Sequence, residues 1–341
     1  MLHIKHFANE HYTTVFNLHT GFFARIEEQG FLEPKWSQHG PELMDISITG
    51  WCDRNCLICY RNSSTKGKHI SLANYEIIMK QAAAMGVLQV ALGGGNPNQH
   101  PKFAEILKLT REKYGIIPSY TSNGRGLFSD VIKASCKYCG AVAVSAYSPY
   151  NEFEAALKKL INVGMKTNIH FVLDSLSIGT AISWLKEPPP FLSGVNAIIF
   201  LNYKPIGRQT SKQLSSVNKK DLECFFELVQ NREQSFRIGF DSCMVSGLAY
   251  FTNIKPSFYD ACEAARFSMF ISEDMRMYPC SFMEPTKVGV PVNDGNILDT
   301  WQNSNMFREF REKLFADNCP DCSHRKICLG GCPICKSVNL C

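Results

Sequence analysis

"MDISITGWCDRNCLICYR", residues 44–61, decides the fold. "MDISIT" reads as a strand, and in the loop that follows it Cys52, Cys56 and Cys59 fall within eight positions. The next cysteine is Cys136, far down the chain. A tetrahedral zinc site or a closed iron–sulfur cluster wants four protein ligands. A cluster of four irons held by three thiolates instead leaves one iron open, and an open position is what reactive metal sites keep. The competing readings are a zinc loop that borrows a distant cysteine and a group of buried core thiols.

Outward from this stretch, short apolar runs alternate with amphipathic segments, the signature of βαβ units and a parallel sheet. Ser71 caps a helix that Gly86 ends. Strand "LQVAL" (88–92) follows, with a helix from Pro101 to near Gly115. Strand "IPSYTS" (117–122) precedes a helix near 127–136, and "AVAVSA" (141–146) a helix over 150–163. "KTNIHFVL" (166–173), a helix over 177–186 and "NAIIFLNY" (196–203) complete six units. Six are too few for the closed eight-fold barrel of about 250 residues. The expected fold is therefore α/β, a partial (β/α)6 barrel whose open side admits a large substrate and whose ligands sit at the C-terminal strand ends, where the cysteine loop lies.

Before the barrel, residues 1–44 hold "TTVFNL" and "GFFARI" around His19, Thr20 and Gly21, which reads as a β-hairpin flap. After it come the polar stretch "GRQTSKQLSSVNKK" (207–220) and a helix over 219–231. From about residue 237 to 341 the alternation stops and cysteine density rises, marking a second, small domain, with the barrel spanning 45–236.

The 341 residues suffice for a full core plus an appendage. A formal charge of +5 without a run of basic residues gives no case for nucleic acid. No stretch approaches the ~18 to 20 apolar residues of a membrane span, and the start lacks the hydrophobic core of a signal peptide. The expected location is the cytosol. There, thiols stay reduced, so fifteen cysteines, an odd number, point to metal ligation rather than disulfides.

With Ile58 before the last cysteine and Tyr60 after it, Cys52-x3-Cys56-x2-Cys59 resembles the signature of the radical S-adenosylmethionine (SAM) enzymes, placed after the first strand as in that family. The resemblance implies that SAM chelates the open iron of a 4Fe–4S cluster, and that a reductant such as flavodoxin or ferredoxin supplies an electron. The cleaved SAM yields a 5'-deoxyadenosyl radical that takes a hydrogen atom from the substrate. "ALGGGNPNQHP" (91–101) resembles the family's glycine-rich segment, in which Gly93, Gly94 and Gly95 let backbone approach the SAM amino group. The position usually held by Glu is Asn96, whose amide oxygen can still accept a hydrogen bond. By the same resemblance, Ser122 and Asn123 in "SYTSNGRG" and Ser145 in "VSAYS" face SAM, and Arg208 in "YKPIGR" sits near its carboxylate. Each alone also reads as a turn, cap or solvated loop residue.

The C-terminal region carries Cys319-x2-Cys322-x5-Cys328-x3-Cys332, with Cys262 and Cys280 flanking a hairpin, "MFISEDMRMYP". Loops rich in Gly and Pro with little apolar content suggest that clusters replace a hydrophobic core. The pattern resembles the SPASM extension of radical SAM enzymes, apart from Met275 where that family usually has Gly. This implies two auxiliary 4Fe–4S clusters and so three in all. The first would use Cys262, Cys280 and Cys332 with Cys243 as the fourth ligand. The second would use Cys319, Cys322, Cys328 and Cys341, or else Cys335. A zinc ribbon-like module is the competing reading. Cys136 and Cys139 in "SCKYCG" read as helix-end packing. Asp241 in "GFDSC" is a candidate proton acceptor, with a capping role beside it.

The resemblance implies an oxidoreductase that modifies a peptide or protein side chain. A small-molecule dehydrogenase or epimerase of the same superfamily is the alternative, and a non-catalytic iron–sulfur or zinc protein a third. No separate leader-peptide-binding domain is expected in the short N-terminal region.

Overall fold

The structure is a computed structural model and describes residues 2–208, 210–231, 233–316 and 319–341. Three strands open the chain: β1 (Leu2–Phe7), β2 (Tyr12–Asn17) and β3 (Phe23–Glu27) form an antiparallel sheet in the order β1-β2-β3. The expected hairpin is β2–β3, and β1 joins it as a third strand. Its tip sits against the barrel, where Lys166 Nζ donates to the carbonyls of Thr20 at 2.8 Å and His19 at 3.2 Å.

Next comes the parallel series β4 (Leu43–Thr49), β5 (Gln89–Gly94), β6 (Ile117–Ser122), β7 (Ala141–Ser145), β8 (Thr167–Leu173) and β9 (Ala197–Asn202), each hydrogen-bonded to the next. Strand alternation explains the two faces. On β4, Met44, Ile46 and Ile48 are fully buried beneath the helix Leu72–Met85, whose Tyr75, Ile78, Met79 and Ala82 are buried too. The intervening Ser47 and Thr49 belong to the concave face. Ser71 Oγ caps that helix by accepting from Asn74 N at 3.1 Å, and Gly86, at φ 78°, ends it. The helix expected from Pro101 to Gly115 is Phe103–Lys108 followed by a π turn, Leu109–Lys113. Thr110 Oγ1 sits there against Ile106 O and the Tyr75 hydroxyl.

The sheet does not stop at six strands. β10 (Arg237–Phe240) pairs in parallel with β9, and β11 (Ser268–Ser272) pairs in parallel with β4, registering Ser268 on Leu43 and Ile271 on Ile46. β12 (Arg276–Tyr278) and β13 (Val290–Pro291) continue antiparallel, giving a ten-stranded open sheet with β10 and β13 at its edges. Residues 237–341 therefore add strands to both sides of the barrel.

This corrects the expectation that clusters replace a hydrophobic core throughout the C-terminal region. Met269, Ile271, Met277, Ile297, Trp301, Phe307 and Leu314 are at most 1 % exposed and belong to the barrel's own core. Only 319–341 fits the expectation, with Val338 and Leu340 its buried hydrophobics besides two cysteines. The β11–β12 turn also explains the departure at Met275, a non-glycine residue at φ 59°, the left-handed region that glycine enters at no steric cost.

On the concave side, between the flap tip and the sheet, lies a cavity of about 470 Å³ lined in part by Ser119, Thr121, Asn168 and His170. Among the described residues, no helix is long and apolar enough to cross a membrane.

Candidate metal centres and cofactor site

The cysteine loop leaves the C-terminal end of β4 and is pinned at its base by backbone. Cys52 N donates to Ser64 O at 3.0 Å, Gly95 N to Thr49 O at 2.6 Å, and Asn96 N to Trp51 O at 2.9 Å. A Cβ on Gly95 would stand 2.0 Å from Trp51 O, so only glycine permits this approach. Cys52, Cys56 and Cys59 are free thiols. They share one electrostatic neighbourhood: burial pushes the Cys56 thiol up, Cys52 and Cys59 add to the rise, and Arg54 opposes it. Two donors aim at the sulfurs, Ser63 N to Cys59 Sγ at 3.4 Å and Asn123 Nδ2 to Cys52 Sγ at 3.5 Å.

Among the residues expected to face SAM, Asn96 is fully buried and engaged at both ends of its amide. Its Oδ1 accepts from Asn123 N at 3.0 Å and Ser122 Oγ at 3.4 Å, while Nδ2 donates to Gln99 Oε1 at 2.7 Å and Arg125 O at 3.0 Å. Asn96 thus staples the glycine segment to the loop after β6, and Ser122 is buried with it. Gly93 differs: a Cβ there would meet nothing within 4 Å, so open space adjoins it. Ser145 lies beside the buried Tyr147 hydroxyl. Ile58 and Tyr147 line an open groove beside the cysteine loop together with Arg54 and Pro149.

Arg208 and Tyr60 both belong to contacts of the cysteine loop. The Arg208 guanidinium clamps the cysteine loop, with Nη1 on Cys56 O and Nη2 on Ser63 O, both at 2.6 Å, and Nε on Asn62 Oδ1 at 3.1 Å. Tyr60 turns its ring onto Phe282 of the C-terminal region, 4.5 Å between centroids.

The C-terminal thiols divide into two sets of four. Cys243 and Cys332 face each other; that contact, together with burial, holds Cys243 up, whereas it holds Cys332 down against the upward push of burial. Cys262 and Cys280 feel Cys243, and burial pushes Cys280 up to about 12. The second set gathers Cys341 with Cys328, Cys322 and Cys319. Cys335 is not among the thiols that surround Cys341; its backbone lies beside Cys332, and its Sγ is 3.2 Å from Ser337 Oγ. The structure thus brings Cys341, and not Cys335, to the second set. Cys139, at the helix end, is held up by burial, as a packed thiol is.

Sequence reasoning missed two buried cations. Arg61 Nη2 lies 2.6 Å from Glu273 Oε2 and 3.4 Å from Glu284 Oε1, tying the cysteine loop to the β11–β12 turn, while Arg61 Nε and Nη1 and Ser63 Oγ are buried without partners. Lys204, its side chain 1 % exposed, lies 3.6 Å from Asp241 Oδ2 beside Cys243 and Cys332. Burial alone would push Lys204 down, but these anionic neighbours hold it up. Asp241 also accepts from Asn202 N at 3.3 Å. No sequence signal marks either cation, because Arg61 and Glu273 are 212 residues apart and Lys204 reads as a loop residue.

The donors fit iron–sulfur clusters: one loop of three soft thiols, with Cys56 lining a groove, and two sets of four. Among the described residues, no three His, Cys, Asp or Glu side chains converge as ligands of a single ion; thiolates on separate irons of a cluster need not.

Comparison with known proteins agrees with this layout. The radical SAM superfamily matches residues 46–176, and an iron–sulfur cluster-binding domain, SPASM, matches residues 262–323, so the two together take in more than half of the chain. Mycofactocin maturase MftC of Mycobacterium tuberculosis is 23 % identical over 321 residues, 87 % of this chain and 79 % of the maturase. Streptococcus suis SuiB, solved bound to precursor peptide SuiA, superposes with a TM-score of 0.71 at 16 % identity over 97 % of this chain and 95 % of SuiB. Native anSMEcpe with bound AdoMet gives a TM-score of 0.66 at 17 % identity over 87 % of this chain and 91 % of that one. The chain belongs to the radical SAM superfamily, as a member with a C-terminal SPASM domain.

Proposed function

We propose that this enzyme is an oxidoreductase that modifies a peptide or protein side chain, holding SAM on the cluster of Cys52, Cys56 and Cys59 and two further 4Fe–4S clusters in the C-terminal sets. The observation that carries the reading is the loop of three free thiols, Cys52, Cys56 and Cys59, at the C-terminal end of β4, pinned at its base to the glycine segment by Gly95 N and Asn96 N. When bound there, SAM supplies on one-electron reduction a 5'-deoxyadenosyl radical for hydrogen abstraction. The chain's residues orient and shield. Backbone of Gly93, Gly94 and Gly95 would hold SAM, Asn96 fixes that backbone, and Asn123 and Ser63 donate toward the thiols. Arg208 holds the loop closed over 56–63. Asp241, which Lys204 partners, is the proton acceptor.

A peptide substrate is supported by the relatives named as maturases, by SuiB solved with a precursor peptide, and by the open edge of the sheet, which leaves room for an extended chain. A set of four thiols close to the barrel, Cys262 and Cys332 buried and Cys243 and Cys280 half-buried, supports an oxidative outcome, since a second cluster there could take up the electron left on the product. The reductant, a flavodoxin or ferredoxin, belongs to a cytosolic setting. The second reading, a small-molecule dehydrogenase or epimerase, needs a ligand at the C-terminal strand ends; the 470 Å³ cavity, lined by strand starts such as Gln89, Ile117, Asn168 and Asn196, lies at the opposite end from the cysteine loop and gives it no support.

Anaerobic reconstitution with iron and sulfide, then dithionite and SAM, tests the proposal. About twelve irons per chain and release of 5'-deoxyadenosine are expected; bound zinc with inert SAM would overturn it. A copurifying peptide, or instead a small polar metabolite, separates the two substrate readings.

A further inference from the structure

Lys204 stands where an ammonium group has little reason to be. Its side chain is 1 % exposed, its Nζ is 3.4 Å from Asn202 O and 3.6 Å from Asp241 Oδ2, and it lies 4.1 Å from the centroid of the Phe282 ring. An ammonium taken out of water is heavily penalised unless well paired, and one carboxylate beyond hydrogen-bonding distance is a weak partner. The other groups around it are sulfurs: Cys243 and Cys332, two of the four thiols that come together with Cys262 and Cys280. Four thiolates on a 4Fe–4S core make an anion, and its one-electron reduction adds a negative charge without a proton. A fixed cation against such a cluster favours the reduced form, and charge and hydrogen bonds at the sulfurs set cluster potentials.

We propose that Lys204 is the counter-cation of the cluster held by Cys243, Cys262, Cys280 and Cys332, and that it raises that cluster's reduction potential. Asp241 positions the ammonium and partly offsets it. Lys204 is thus a positioning residue that acts through the cluster. The inference rests on the reading of these four cysteines as ligands.

The test uses the full chain, reconstituted without air, and follows iron and sulfide content together with an electron paramagnetic resonance redox titration. The signal that Cys280→Ala removes identifies the cluster in question. In Lys204→Met with full iron, its reduced-to-oxidised ratio at fixed poise is expected to fall about tenfold, a downward shift of about 59 mV for one electron. Lys204→Arg restores the midpoint, and Asp241→Asn moves it upward. Full iron with an unchanged midpoint in Lys204→Met overturns the proposal. Should Lys204→Met fail to load, Asp241→Asn decides: an upward shift supports the proposal and an unmoved midpoint overturns it. A wild-type chain with no Cys280-dependent signal removes the cluster reading itself, a result distinct from a signal that ignores Lys204.

Discussion

The two four-thiol sets of the C-terminal region are built in different ways. Cys243, Cys262, Cys280 and Cys332 come from separate segments, after β10, before β11, after β12 and near the chain end, and converge where burial holds Cys262 and Cys280 up. Cys319, Cys322, Cys328 and Cys341 lie within the last stretch of the chain, and Cys322 and Cys341 are exposed. The first set is assembled by the barrel's core, because β11 is part of the barrel sheet and Trp301 and Phe307 are part of its packing. The second has little apolar surface to hold it, so its ligands and metal must supply much of its order. A site placed by the fold keeps its shape before metal arrives. A site made of sequence-near cysteines depends on the metal.

The largest effect tests what the two sets share. Cys56→Ala is expected to abolish 5'-deoxyadenosine release and remove about four irons while leaving thermal unfolding close to wild type, since the loop lies outside the core. A large loss of stability would contradict that separation. Next, Trp301→Ala should cost about 3–5 kcal/mol in urea unfolding. The indole is fully buried, packs on Trp36 and Phe307, and donates to Ser37 O at 2.6 Å. Near-wild-type stability would mean that the C-terminal region is not part of the barrel core.

Removing metal with a chelator should expose 319–341 to amide exchange while β4–β9 stay protected, and equal loss of protection in both regions would erase the contrast. Finer still, Cys341→Ser should remove about four irons and Cys335→Ser none; the reverse would return Cys335 to the ligand set. The smallest effect lies inside the barrel. Burial holds His170, whose Nδ1 is 3.2 Å from Thr121 Oγ1, down to about 4 from its ordinary 6.5. The unfolded chain therefore binds the extra proton first, and stability should decline as pH falls from about 6.5 to 4. His170→Gln should flatten that window in a pH series of unfolding midpoints.

Much of the barrel was legible in the sequence because each strand and helix carries its own local signal. Ser71 and Gly86 bracket a helix by capping chemistry, and "IPSYTS" and "NAIIFLNY" coincide with β6 and β9 to within a residue or two. β10 and β11 were not, because which strand pairs with which is set by long-range packing and leaves no period in the chain. Asn96 shows the same limit at the site. Its sequence position suggests a residue facing SAM; its complete burial and its bonds to Ser122, Asn123, Gln99 and Arg125, which join the glycine segment to the loop after β6, come only from the tertiary structure.

Cysteine spacing by itself determined the chemistry of this protein, since three thiols within one loop and CxxC-type runs near the end restrict the ligand geometry over a few covalent bonds. Only the tertiary structure decided which distant thiols meet, that Cys341 and not Cys335 joins the second set, and that Lys204 lies beside the first. Those outcomes depend on how β10 and β11 close onto the barrel's edges, and burial of apolar side chains, which is non-directional, fixes that arrangement without writing it into any single stretch of sequence.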